Sequence, residues 1–169
     1  VKKNALLLAF GVAALGTVSF AQAQTCASPL TPTAPPQASQ VAGNSCGGTN
    51  SIGTMCGLFD STTFNDVIYR FNVDATRTAT SIVVTNTTPT WNARAIVLSG
   101  SCSPAAGCPA LADDNGAGGN ETLAVGSLAA GAYYLVIDTS GDIPSDACGS
   151  FTWAANGILP VQLTNFSID

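Results

Sequence analysis

The chain has 169 residues, with five Lys or Arg against ten Asp or Glu and no His, for a net charge of −5. That acidic balance argues against nucleic acid and anionic membrane as partners. The missing His removes the usual zinc-ligand spacings and the commonest general base.

In chain order, Lys2 and Lys3 precede an apolar run over residues 5–20, and Ala21-Gln22-Ala23 gives a small-x-small cleavage site. Together these read as a secretory signal peptide over residues 1–23. The run is shorter than the roughly 20 apolar residues that a span needs, so no membrane span is expected in the mature chain. Thr25 before Cys26, where a small residue would be needed, argues against a lipid-acceptor cysteine. Removing 23 residues from 169 leaves 146, one ordinary domain. Arg70, Arg77 and Arg94 are then the only cations against ten acids, a net charge of −7.

All six cysteines follow the leader: Cys26, Cys46, Cys56, Cys102, Cys108 and Cys148. An even count in an exported chain implies three disulfides, no free thiol and an oxidising compartment, secreted or at the cell surface. Nearness in sequence predicts Cys46–Cys56 and Cys102–Cys108, which leaves Cys26–Cys148.

Residues 24–40 are rich in Pro and Thr and form an extended lead-in. Gly, Asn, Ser and Thr dominate 41–66, which reads as a long loop. Strand signals follow. In 67–73, VIYRFNV, Val67, Tyr69, Phe71 and Val73 share one face, and Ile68, Arg70 and Asn72 a half-wet one. Residues 78–86 are rich in Thr, Val and Ile, and 93–98 form the next strand. Residues 99–120 read as a long glycine-rich loop and 122–125 as a short strand. Then comes GAYYLVID at 131–138, apolar on both faces and so a central strand covered on two sides. Residues 150–155 carry Phe151 and Trp153 on one face. No stretch after the leader shows apolar residues at helical spacing. The expectation is an all-β fold, an antiparallel jelly-roll-like β-sandwich of about eight strands over residues 41–158.

Four stretches invite chemistry. Gly43-Asn44-Ser45-Cys46-Gly47 matches G-x-S-x-G, but its flanks read as loop and no His is present to act as base. Asp138-Thr139-Ser140-Gly141 looks like an aspartic protease loop without the second carboxylate that such enzymes share a proton with. Asp113, Asp114, Asn115 and Glu121 are the densest acidic oxygens and the calcium-ligand candidates, although Ala117 and Ala124 break the EF-hand pattern; a solvated turn is the alternative. Otherwise no cofactor is expected. Trp91 follows Pro89-Thr90 in a turn and is the best candidate for an exposed ligand contact, whereas Trp153 and Tyr133 alternate with apolar residues and read as core.

The tail, residues 159–169, LPVQLTNFSID, is strand-like. Val161 and Leu163 fall on one face and Phe166 and Ile168 on the other. Pro160 marks a break or an edge start. One reading makes the tail the last strand of the sandwich. The other, favoured here, makes it a strand offered to a partner. The stretch resembles LPVEL-x-SF segments near the ends of exported bacterial proteins, with Gln162 in place of Glu.

The order of features resembles the bacterial pre-peptidase C-terminal domain. NDVIYRFNV at 65–73 is similar to its first core strand, and AIVLSGSC at 95–102 to its middle strand and cysteine loop. ADDNGAGGNETL at 112–123, LAAGAYYLVID at 128–138 and CGSFTWAANG at 148–157 follow in the same order. The resemblance implies a jelly-roll-like sandwich without catalytic activity, an aid to secretion, solubility or attachment of exported proteins. No peptidase precedes the domain in this sequence, so the expectation is a free-standing, non-enzymatic accessory or surface module for binding or adhesion. Its partner would be a protein or polysaccharide at the cell surface. The alternative is a carbohydrate-binding domain accessory to a secreted hydrolase.

Overall fold

The computed structural model describes residues 25–32, 40–56, 64–73, 77–103, 105–140 and 147–157, with backbone only at 77–80. The leader, most of the lead-in and the tail, with Val161, Leu163, Phe166 and Ile168, lie outside the described residues. Among the described residues eight strands follow one another: β1 Val41–Asn44, β2 Val67–Val73, β3 Arg77–Asn86, β4 Ala93–Ser99, β5 Gly107–Ala112, β6 Glu121–Leu128, β7 Gly131–Thr139 and β8 Ser150–Asn156. Apart from a 3-10 turn at Ser45–Gly47, the described residues hold no helix.

The strands form two antiparallel sheets, β1–β8–β3–β6 and β2–β7–β4–β5. The first strand pairs with the eighth, the second with the seventh, the third with the sixth and the fourth with the fifth. This nesting is the jelly roll, a long antiparallel ribbon folded over on itself so that successive pairs alternate between sheets. GAYYLVID is β7, hydrogen-bonded on both sides by β2 and β4, as its two apolar faces required.

Alternation fills the space between the sheets. Tyr69, Ile82, Leu123, Leu135, Phe151 and Trp153 are among the residues buried there. The Tyr69 and Trp153 rings lie 5.2 Å apart at their centroids, which locks the two sheets together through aromatic contact. The other face of the β2–β7–β4–β5 sheet is covered as well. Ile68, Ile96, Leu98 and Val136 project outward and are buried by Ile52 and Met55 from the segment before β2. The side expected to be half wet is therefore divided. Ile68 lies under this cover, while Arg70 and Asn72 remain exposed.

The cover explains the disulfides, and it overturns the pairing expected from sequence. The bonds are Cys26–Cys102, Cys46–Cys148 and Cys56–Cys108, with Cα–Cα distances of 5.3, 4.9 and 5.8 Å. Cys102 lies in the β4–β5 turn and Cys108 at the start of β5, yet neither bonds the other. Each reaches instead to the covering layer, Cys102 to Cys26 and Cys108 to Cys56, and Cys26, Cys56 and Cys102 pack against the outer cluster. Cys46 follows β1 and Cys148 precedes β8, two strands paired in register. All six cysteines are bonded, and the bond of Cys26 leaves it no thiol for a lipid.

Candidate functional site

Chemistry-bearing side chains gather at one end of the sandwich, where β4 begins, β5 and β7 end and β6 begins. Arg94 on β4 is 5% exposed. Its Nε donates to Asp113 Oδ2 at 2.9 Å and its Nη2 to Ser140 Oγ at 3.2 Å. Ser140 Oγ donates in turn to the same Asp113 oxygen at 3.0 Å, which closes a triangle. Asp138 faces Arg94 in the β4–β7 register and accepts the Thr139 N–H at 2.6 Å. A positive guanidinium thus occupies the position a cation would need beside Asp113.

Glu121 at the start of β6 is fully buried, and burial pushes its carboxyl above the ordinary range, against the backbone bonds it accepts. Its two oxygens take the N–H groups of Asp114 and Asn115 at 3.0 and 3.1 Å. Asn115 Nδ2 donates to the Asn120 carbonyl. The carboxylate closes the loop from inside. Of the four expected calcium ligands, Asp113 is bound to Arg94 and Glu121 to backbone donors, while the charges of Asp113 and Asp114 lie near enough to Glu121 to push its carboxyl up further. Among the described residues no three Asp, Glu, Cys or His side chains form a group that could hold a metal ion.

Trp91 is not the exposed side chain that its turn suggested. It is fully buried, with its ring tilted against Phe151 at 5.9 Å. Its Nε1 donates to Thr139 Oγ1 at 2.8 Å, and Thr139 Oγ1 donates to the Ala147 carbonyl at 3.0 Å. A Cβ on Gly149 would collide with the indole ring, so glycine there makes room for it. The turn after Pro89 sends the indole inward because the indole completes the core end.

The G-x-S-x-G stretch is structural. Ser45 is fully buried; its Oγ accepts the Gly149 N–H at 2.9 Å and donates to the Gly149 carbonyl at 3.3 Å. With Cys46 bonded to Cys148, this knots the end of the β1–β8 pair.

Sequence reasoning passed over Asp66. It is fully buried just before β2, and its Oδ2 accepts the Ser51 and Ile52 N–H groups, both at 2.8 Å. Oδ1 is buried with no hydrogen-bond partner among the described residues. Burial raises its pKa to about 6, the bonds from Ser51 and Ile52 opposing. Asp66 holds the segment that carries Ile52 over the outer cluster. A carboxyl raised from 3.8 to about 6 favours the fold when protonated. That contribution is complete below the unfolded pKa and is lost as the pH rises through the folded one, at most about 3 kcal/mol. Melting at a series of pH values should show this as a midpoint that holds or rises from pH 7 to pH 5. In Asp66→Asn the slope should flatten. A variant with the same slope as the parent would remove Asp66 from the account.

No protein-family model matches the sequence, and no curated protein matches it. Among solved structures, the chain is similar to the pre-peptidase C-terminal domain of a collagenase from Bacillus anthracis. The TM-score is 0.45 at 16% identity, over 70% of this chain and 88% of that one. The jelly-roll assignment rests on the strand pairing.

Proposed function

We propose that this chain is a non-enzymatic accessory or surface module, exported and oxidised, that binds a protein partner. The observation that carries this is what the described surface offers. The groups that chemistry would need are committed to the fold: Ser45 to Gly149, Asp113 to Arg94, Glu121 to its own loop. Among the described residues, Tyr69, Phe71, Trp91, Tyr133, Phe151 and Trp153 are buried, and Leu111 is the one exposed large apolar side chain. Sugar binding by stacking needs an exposed ring, and Trp91, the ring expected to serve, is in the core. This weighs against the alternative of a carbohydrate-binding domain accessory to a hydrolase. Three long-range disulfides support export, since such bonds persist in oxidising compartments. No helix among the described residues is long and apolar enough to cross a membrane.

A depletion assay on insoluble polysaccharides tests the reading. The mature protein should stay in the supernatant with calcium and with chelator alike. Retention that free sugar competes away would overturn the reading in favour of the carbohydrate-binding alternative, and retention that needs calcium would restore the Asp113–Glu121 loop as a metal site.

A further inference from the structure

We propose that Cys56–Cys108 is a redox latch. A dithiol reductant opens it at the exposed Cys108, and the covering segment at residues 53–56 then swings off the outer apolar face of the β2–β7–β4–β5 sheet while the sandwich stays folded. The latch is independent of the partner that the module binds.

The three disulfides differ in what surrounds them. Cys46 and Cys148 sit at the end of the paired β1 and β8, where Ser45 and Gly149 also exchange hydrogen bonds. Cys46 is exposed, yet breaking its bond leaves the two sulfurs side by side, ready to close again. Cys26 and Cys102 are both half-buried against the outer cluster. The chain that follows Cys26 is also held to β2: the Leu30 N–H donates to the Ile68 carbonyl, and its carbonyl accepts the Arg70 N–H, both at 2.8 Å. Cys108 is exposed at the start of β5, the last strand in the order of its sheet. Thiol exchange begins on a sulfur that a thiolate can reach.

Cys56 carries a second mark. Its φ is +57°, and it is the one non-glycine with positive φ among the described residues. In that region a Cβ crowds the carbonyl oxygen that follows it, so the surrounding structure must hold the residue there. The bond to Cys108 is one such restraint. Once it opens, Cys56 can leave the left-handed region, and relief of the strain favours the open form. Strained or exposed disulfides are the readily reduced ones, and this one joins a strained residue to an exposed one.

The anchors decide what moves. Asp66 grips the near end of the segment: its N–H donates to the Thr49 carbonyl at 3.1 Å, and its Oδ2 accepts the Ser51 and Ile52 N–H groups. Cys56 is the far end. Ile52 and Met55, each 2% exposed, cover Ile68, Ile96, Leu98 and Val136. Reduction removes the covalent anchor beside Met55 and leaves the Asp66 anchor in place, so residues 53–56 pivot about Ile52. The chemistry is ordinary exchange. A thiolate of the reductant attacks Cys108 Sγ, the S–S bond breaks and Cys56 leaves as a thiolate. The reductant's second sulfur then attacks the mixed disulfide, closes its own S–S bond and releases Cys108. The dithiol is oxidised by two electrons, the protein disulfide is reduced by the same two, and the two protons end on Cys56 and Cys108.

Met55, the single methionine of the chain, reports the opening. The full mature chain is treated with limiting dithiothreitol, capped with iodoacetamide and mapped by peptide mass. Cys56 and Cys108 should be capped about tenfold or more faster than the other cysteines. Hydrogen peroxide then converts an accessible thioether to the sulfoxide. Met55 should react about tenfold or more faster in the capped protein than in the parent, with the circular dichroism of the folded sandwich kept. Cys56→Ser combined with Cys108→Ser opens the latch without reductant and should expose Met55 in the same way. Should one of these two forms unfold, the other decides. Earlier capping at Cys26 and Cys102, or at Cys46 and Cys148, would overturn the proposal. So would a Met55 that stays protected in a folded open form, since the segment would then be held without the bond. Loss of native circular dichroism in both forms would overturn it too, because the bond would then hold the sandwich rather than its cover.

Discussion

Replacing Cys46 and Cys148 together by Ser is expected to lower the melting midpoint by about 10–20 °C. The bond spans 102 residues, and in the chain-entropy model a loop of that size restricts the unfolded chain by about 4–5 kcal/mol. For a domain of this size each kcal/mol corresponds to about 2–4 °C at the midpoint. The site should not collapse outright, because Ser45 and Gly149 exchange backbone and hydroxyl hydrogen bonds beside it. The effect should therefore fall on the unfolded state, with native-like circular dichroism retained. The other two bonds span 76 and 52 residues, and the three loops overlap. Removing a second bond should accordingly cost less than its own loop alone would suggest. Non-reducing peptide mapping should recover Cys26–Cys102, Cys46–Cys148 and Cys56–Cys108. A double variant that melts within about 3 °C of the parent would mean that the Cys46–Cys148 loop is already restricted in the unfolded chain.

The strands that sequence made legible are those with two or more apolar side chains at period two. VIYRFNV, AIVLS and GAYYLVID were readable because each must bury at least one face, and only GAYYLVID was apolar enough on both to announce a central place. β1 and β5 were not readable. β1 contains Gly43, where a Cβ would collide with the Phe151 ring and the Tyr69 hydroxyl, so the residue that makes this strand fit is one that scores as loop. β5 contains Gly107 and Pro109, turn formers that an edge strand tolerates because no described strand pairs on its far side. Missing β5 turned two of the cysteines into the ends of a simple loop, and the short pairing followed. The covering layer was also invisible. Ile52 and Met55 sit in a stretch with no period, and only the burial of Ile68, Ile96, Leu98 and Val136 beneath them reveals its purpose. The acids of the end loop misled for a related reason. Asp113 and Glu121 look alike in sequence, but one meets a buried arginine that lies 19 positions away and the other turns inward onto its own loop.

Trp91→Ala should cost about 3–5 kcal/mol, the usual range for emptying a large buried aromatic site, and lower the midpoint by about 10 °C or more. Two losses combine. The indole leaves a cavity between Phe151 and Gly149, and glycine offers no side chain to refill it. The Nε1 bond to Thr139 Oγ1 is also lost, though that oxygen keeps its own bond to the Ala147 carbonyl and is not stranded. Trp91→Phe separates the two, since it retains most of the ring and drops the donor; it should cost about 1–2 kcal/mol. Gly149→Ala attacks the same contact from the other side and should be destabilising as well, because the added methyl meets the indole face. Fluorescence gives an independent reading. The chain has two tryptophans, and both are buried, so native emission should be blue-shifted and resist iodide quenching until the protein unfolds. If Trp91→Ala instead melted like the parent while the native protein lost most of its fluorescence to iodide, the indole would be at the surface. The ligand-contact role that the turn after Pro89 first suggested would then return. A large loss of stability with protected emission places Trp91 with Phe151 and Thr139, as the residue that joins the end of the core to the β7–β8 connection.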